Sequence, residues 1–325
     1  NIKVMAIWNG WRGLLDEKLI KESRPLTLDE VRRSRKKGGT ILGTSRENPY
    51  SKKNIEKNIP QLMWLNIKRL GLNGLITCGG DDTNSVSFRL KQEYPGFPVI
   101  GLPKTMDNDI DLPYGANTYG FDSFAEAGAK ALEYGKVDAI STARILVVEV
   151  FGRNAGFAPL RIGAKVGASR TLIPEETELD LEKLIKDLAS YFQQHGYGIV
   201  VVSEGIKINK DFANNRQILE QALATDLLAK HAFESGETNL DAFGHPKLKN
   251  AGLILATVLS TQLKTAGISI SLAGKIDYLF RSADTSKVDL AMCHSLGKAA
   301  IRYLIRKEHG VILYADSKNR VRPIP

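Results

Sequence analysis

The sequence predicts an α/β fold built on parallel strands, and three observations carry that expectation. Short apolar runs recur along the chain, among them Leu75–Cys78, Phe97–Leu102, Ile145–Val150 and Gly198–Val202, each the length of a buried strand. Segments with helical spacing of apolar residues alternate with them, as βαβ units require. Four of the runs are followed at once by charged residues: Asp81, Lys104 with Asp107, Arg153 and Glu204. Ligands of open α/β sheets bind beyond the carboxyl ends of the strands, so this repetition points to one shared site.

At 325 residues the chain has room for two domains or one large α/β unit. No apolar run reaches the length of a membrane span and no leader-like segment opens the sequence, so the expectation is a soluble, cytoplasmic protein without a membrane partner. Cys78 and Cys293 make no disulfide framework, and Cys78, inside an apolar strand, reads as a buried thiol. The histidines, His195, His231, His245, His294 and His309, show no metal-ligand spacing, which argues against structural zinc. The formal net charge is +9. Its one dense run, Arg32–Lys37, precedes Gly38-Gly39 and reads as a solvated helix end. The other cations stand singly, many beside glycines, a pattern suited to small phosphorylated ligands rather than nucleic acid.

In order, Val4–Trp8 reads as a strand and Leu28–Lys36 as a helix capped by Thr27 with Glu30 in its first turn. The stretch 38–46 reads as a glycine-flanked strand delivering Arg46. A helix over Ile55–Leu70 carries Pro60 as a kink. Leu75–Cys78, the turn Gly79-Gly80-Asp81-Asp82-Thr83 and a helix over Asn84–Tyr94 form a strand–turn–helix unit. Further helices are expected over Ala125–Tyr134, Gly156–Val166, Leu181–Gln194 (capped by Asp180), Gln217–His231, Asn250–Lys264 and Val288–Arg306, with a Gly-His-Pro loop at His245 and a late strand at Val311–Ala315.

Two stretches carry chemistry. Glycines 79 and 80 let backbone N–H groups approach a phosphate at a helix N-terminus, whereas Asp81 and Asp82 would repel it, so at least one aspartate should hold a metal ion. In Pro103-Lys104-Thr105-Met106-Asp107-Asn108-Asp109, two carboxylates and a cation follow a buried strand; Asp107 can accept a proton while Asp109 and Lys104 manage phosphate or metal charge.

Together, Gly79-Gly80-Asp81, Pro103–Asp109, Arg144 with Phe151-Gly152-Arg153, Ser203-Glu204 and Tyr278-x-x-Arg281 resemble the phosphofructokinase family in order and separation, over nearly the whole chain. The resemblance implies two Rossmann-like three-layer α/β domains facing each other across a cleft. Residues 1–118 and 280–325 would bind the phosphoryl donor and 119–279 the sugar phosphate. It implies transfer of a phosphoryl group to the 1-hydroxyl of fructose 6-phosphate with Mg2+. Asp107 is then the base and Asp81 the metal residue, with Asp109 a second carboxylate. Lys104, Thr105 and Arg153 serve the reacting centre; Gly80, Asp82, Thr83, Arg46 and Lys104 serve the donor. Thr105, Asp107, Asp109, Arg144, Phe151, Gly152, Arg153, Glu204, Lys275, Tyr278 and Arg281 line the sugar-phosphate site. The family more often has His at Tyr278. Arg144 would reach a neighbouring copy's site, implying a homodimer or homotetramer with shared active sites, and Lys275 is assigned as a further cross-subunit cation.

Relatives that use ATP carry Gly after the metal Asp. Asp82 adds bulk and negative charge there and, with Lys104, favours pyrophosphate. Family members also open with a strand and a glycine-rich turn of Gly-Gly-x-x-Pro-Gly-x-Asn type ahead of the segment matching Val4–Trp8, and continue past Pro325. Asn1 in place of an initiating Met suggests a truncated chain. The competing readings are the ATP-dependent enzyme and a non-catalytic regulatory subunit of the same fold.

Overall fold

The computed structural model describes residues 2–234 and 250–324; the expected loop at His245 lies outside them. Ten strands are found among these residues: β1 (Met5–Ala6), β2 (Arg24–Pro25), β3 (Leu75–Gly79), β4 (Val99–Pro103), β5 (Arg144–Val150), β6 (Arg170–Leu172), β7 (Gly198–Ser203), β8 (Ser269–Ile276), β9 (Val311–Ala315) and β10 (Val321–Ile324). The chain divides into two compact units. The first holds Asn1–Met106, Ile110–Ser123 and Ser282–Pro325; the second holds Asp107–Asp109 and Phe124–Arg281. The boundaries fall after Ser123 and Arg281 rather than after 118 and 279, and Asp107–Asp109 group with the second unit.

In the first unit the sheet order is β10-β9-β4-β3, with β3, β4 and β9 parallel and β10 antiparallel to β9. Alternation along β4 sorts its side chains. Val99 joins Met63, Ile67, Val86 and Leu90 from two helices. Ile100 and Leu102 join Met292, Leu296 and Ala300 of the helix Lys287–Ile305. Helices therefore cover both faces, giving three layers.

The second unit repeats the plan. Its sheet, in the order β6-β7-β5-β8, is parallel throughout. Ile145 and Val147 of β5 and Val200 and Val202 of β7 pack with Leu184, Ile218 and Leu255 from three helices. Leu146 points the other way, against Gly135 of the helix Phe121–Ser141, where an added Cβ would come within 2.8 Å of it. A strand buried on both faces is apolar without alternation, which explains the legibility of β5 and β7 as continuous runs.

Local chemistry sets the ends of these elements. Thr27 and Glu30 form a capping box at the helix Leu28–Ser34, and Asp180 accepts from Lys183 N at the start of Leu181–His195. The basic run over 32–37 is exposed at the end of the first of these, as expected.

Several expectations are corrected. Only Met5–Ala6 of Val4–Trp8 is strand, paired antiparallel to β2 outside the main sheets. Residues 38–46 form no strand: Gly39 and Gly43 adopt φ of +78° and +71°, which interrupt an extended ladder. Ile55–Leu70 is two helices, Lys52–Glu56 and Ile59–Arg69, separated at left-handed Asn58; Pro60 opens the second rather than kinking one. Gln217–His231 likewise splits into Asn215–Leu223 and Leu227–Glu234. Cys78, near the carboxyl end of β3, is exposed at its surface, though partial desolvation of its thiol, beside Tyr119, raises its pKa. Strands β6, β8 and β10 lack a clean apolar run and were not anticipated.

Candidate active site

In the first unit, parallel pairing sets Gly79 beside Pro103, so the segments that leave β3 and β4 emerge together at the carboxyl edge. Lys104 N donates to Gly79 O (2.8 Å), and Thr118 Oγ1 donates to Thr105 O (2.7 Å). The helix after β3 begins at Asp81 with Gly80 as its N-cap, three residues earlier than expected. Asp81 and Asp82 thus stand exposed in its first turn, where the helix dipole favours carboxylates. Thr83 packs on Gly79, which has no room for a side chain: a Cβ would meet Thr83 Oγ1 at 2.2 Å. A Cβ at Gly80 would lie 3.9 Å from both Lys104 O and Thr105 Cβ, so Gly80, Asp81, Asp82, Thr83, Lys104 and Thr105 share one edge. Arg46 is exposed on the 37–50 loop, which is anchored where Asn9 N donates to Leu42 O (2.7 Å).

Asn84 was missed by sequence reasoning. It is buried, and its Nδ2 donates to Gly79 O (3.0 Å) and Gly80 O (2.9 Å), locking the turn. It packs from the helix directly onto Gly101 of β4, where a Cβ would meet Asn84 Oδ1 at 2.5 Å, a contact with no signal in the sequence.

In the second unit, Val150 is in register with both Ser203 and Ile276, so three strand ends coincide. Glu204 N donates to Val150 O (2.9 Å) and Phe151 N to Ile276 O (3.1 Å). Ser203 Oγ donates to Gly152 O. Gly152 has φ +152°, and a Cβ on Gly205 would fall 1.9 Å from Arg153 O; both glycines are there for close backbone approach. Tyr278 sits edge-on to Phe151 at 5.0 Å between centroids, with its own ring largely exposed.

Glu204 shows which charges converge. Burial pushes its carboxyl up to about 7; Arg153 pulls it down, Asp107 and Glu149 push it up, and Lys275 pulls it down. Asp107, Arg153 and Glu204 are therefore electrostatic neighbours within one unit. Asn108 between the aspartates is left-handed (φ 57°) and buried, while Asp109 is exposed. Arg281 is exposed beyond β8.

The two residues expected to serve a neighbouring copy have partners within this chain. Arg144 occupies the amino end of β5, donating from Nη1 to Ser271 Oγ (2.9 Å); the seven-residue strand puts it ~20 Å from the Arg153 edge. Lys275, expected as a cross-subunit cation, pairs with Glu149 of its own chain at 2.6 Å, the residue opposite it in the sheet. Glu149 was also missed; its signal is a lone carboxylate inside the run Ile145–Val150.

Among the described residues no group of three or more His, Cys, Asp or Glu side chains is arranged to hold a metal ion. The available carboxylates, Asp81 with Asp82 beside it, suit a hard cation that keeps water and takes most of its oxygens from a bound phosphate.

Residues 1–271 match the phosphofructokinase family. The chain belongs to that family. It is 31% identical over 336 residues to the pyrophosphate–fructose 6-phosphate 1-phosphotransferase of Naegleria fowleri, covering 96% of this chain and 71% of the relative. To the protein of the same description from Dictyoglomus thermophilum it is 32% identical over 326 residues, covering 99% and 83%. The pyrophosphate-dependent phosphofructokinase structure from Nitrosospira multiformis superposes with a TM-score of 0.73 at 19% identity, over 99% of this chain and 74% of that one, a likeness of fold. No helix among the described residues is long and apolar enough to cross a membrane.

Proposed function

We propose that the protein transfers a phosphoryl group from pyrophosphate to the 1-hydroxyl of fructose 6-phosphate. The observation that carries this reading is the convergence of Asp107, Arg153 and Glu204 at the carboxyl edge of β5 and β7. It supplies a base, a cation and a hydroxyl acceptor within one unit, and the named relatives support the substrates.

In this mechanism Asp107 takes the proton of the 1-hydroxyl as that oxygen attacks the terminal phosphorus of pyrophosphate. The new P–O bond forms at the sugar while the bridging P–O bond of the donor breaks, releasing phosphate. Arg153 offsets charge developing on the phosphoryl oxygens. Glu204, as a carboxylate, accepts from sugar hydroxyls. Tyr278 and Arg281 serve the 6-phosphate, the guanidinium presenting a forked set of donors. Phe151 and Gly152 shape the wall between them. On the donor side Gly80, Thr83, Lys104, Thr105 and Arg46 meet phosphate oxygens. Mg2+ held by Asp81, with Asp109 a candidate second carboxylate, would neutralise donor charge. Asp82 disfavours a third phosphate by bulk and charge, which is the reason for preferring pyrophosphate over ATP. Arg144, far from its own chain's Arg153 edge, is read as serving a neighbouring copy, which requires at least a dimer.

The test is fructose 1,6-bisphosphate formation with Mg2+, comparing pyrophosphate with ATP. Turnover should need pyrophosphate, and Asp107→Ser should lower it by about three orders of magnitude while sugar-phosphate binding persists. Turnover with ATP alone would overturn the donor assignment. Silence with both would favour a non-catalytic subunit.

A further inference from the structure

Glu149 is a buried carboxylate, its side chain 4% exposed, one residue before the carboxyl end of the otherwise apolar run Ile145–Val150. Two donors hold it: Lys275 Nζ at 2.6 Å from Oε1, and the Gly252 backbone N–H at 2.8 Å from Oε2. Gly252 lies in the first turn of the helix Ala251–Leu263, so the positive end of that helix faces the carboxylate. A Cβ on Gly252 would stand 3.0 Å from Glu149 Cβ, and glycine is what admits the approach.

Lys275 reaches Glu149 through an irregularity in β8. The register runs Val147 with Leu272 and then Glu149 with Lys275, so β8 uses three residues where β5 uses two. Gly274 takes up the extra residue at φ +96°. Bulges of this kind re-aim side chains, here turning the lysine onto the glutamate. One residue later Val150 meets Ile276, and both strands then leave the sheet, one as Phe151–Arg153 and the other towards Tyr278 and Arg281. Glu204 lies within the field of the same pair, together with Arg153 and Asp107.

We propose that Glu149 and Lys275 form a positioning pair that holds the strand ends carrying Phe151–Arg153 and Tyr278–Arg281 in register and sets the charge around Glu204, with Lys275 making no phosphate contact of its own. The proposal rests on the reading of this edge as the sugar-phosphate site. A lysine bound to a buried carboxylate on its own sheet has its charge already spent, and losing either partner cuts the same link.

The experiment is a double-mutant cycle on KM for fructose 6-phosphate with Glu149→Gln, Lys275→Met and the double variant, plus Lys275→Arg. Each single change should raise KM about tenfold with kcat within about threefold, and the double should be no worse than the harsher single. Lys275→Arg should recover most of the loss. A double variant whose KM rise is the product of the two singles would mean that Lys275 acts on phosphate independently, and would overturn the proposal.

A second arm needs no turnover: 13C titration of the Glu204 carboxyl by NMR, assigned with Glu204→Gln. Removing the Glu149 charge should lower the midpoint and removing the Lys275 charge should raise it. Shifts in the same direction, or none, would overturn the charge role. If Glu149→Gln does not fold, Lys275→Met decides this arm. A wild-type protein that forms no product with either donor sinks the functional reading alone, since the NMR result still decides the pair.

Discussion

Burial pushes the Glu204 carboxyl up to about 7, well above the ordinary carboxylate range, and that displacement has consequences for both stability and binding. An acid whose pKa rises on folding stays protonated in the folded chain at pH values where the unfolded chain is already ionised. Between about 4.5 and about 7 the folded state therefore binds more protons, and this group's contribution makes stability fall as pH rises through that window. Glu204→Gln should remove the slope: urea midpoints of variant and wild type should shift in the variant's favour from about pH 5 to about pH 8. Parallel curves would refute the burial argument. Binding runs the other way. The ionised form accepts sugar hydroxyls, so KM for fructose 6-phosphate should fall as pH rises through about 7. That Glu204 ends a strand is legible in the run Gly198–Ser203, but its perturbation is not, because it depends first on burial and then on Arg153, Asp107, Glu149 and Lys275 arriving from other segments.

At the scale of elements, the strand ends of the second unit interlock through backbone. Ser203 caps the Gly152 carbonyl, and Gly205 lies against the Arg153 carbonyl with no space for a methyl group. Gly205→Ala should push the Arg153 segment off its strand end, costing about 1–3 kcal/mol of stability as an overpacked site. Turnover should fall further than the thermal midpoint suggests, because Arg153 is displaced along with the backbone. A variant with wild-type kinetics would show that this edge tolerates movement. Elements bounded by local signals were readable beforehand. The helices capped by Thr27 and Asp180 and the strands β4, β5, β7 and β9 fall within one or two residues of expectation. Those set by neighbours were not. The strand expected over 38–46 is prevented by the left-handed backbone at Gly39 and Gly43, and Gly38 is packed against Ser282 and Ala283 with no room for a Cβ. Strand β8 is identifiable only once β5 is beside it.

For the whole molecule, 45 basic against 36 acidic residues give the chain a formal charge of +9, while both proposed substrates are polyanions. A positive field raises encounter rates and is screened over ~10 Å at 0.1 M salt. Raising ionic strength from about 0.05 M to about 0.5 M should therefore lower kcat/KM for pyrophosphate severalfold, with kcat changed less. A salt-independent kcat/KM would mean that the positive charge lies away from the paths to the site.

The sequence by itself determined the α/β class, the family and the order of the motif segments, because each rests on information carried within a few residues: a buried apolar run, a cap, a glycine turn followed by charge. Only the tertiary structure decided which charges act on one another. It assigned Asp107 to the unit that holds Arg153 and Glu204, put Arg144 at the far end of β5, and paired Lys275 with Glu149. Sheet register and a one-residue bulge made those choices, and electrostatic coupling follows distance in space rather than separation along the chain.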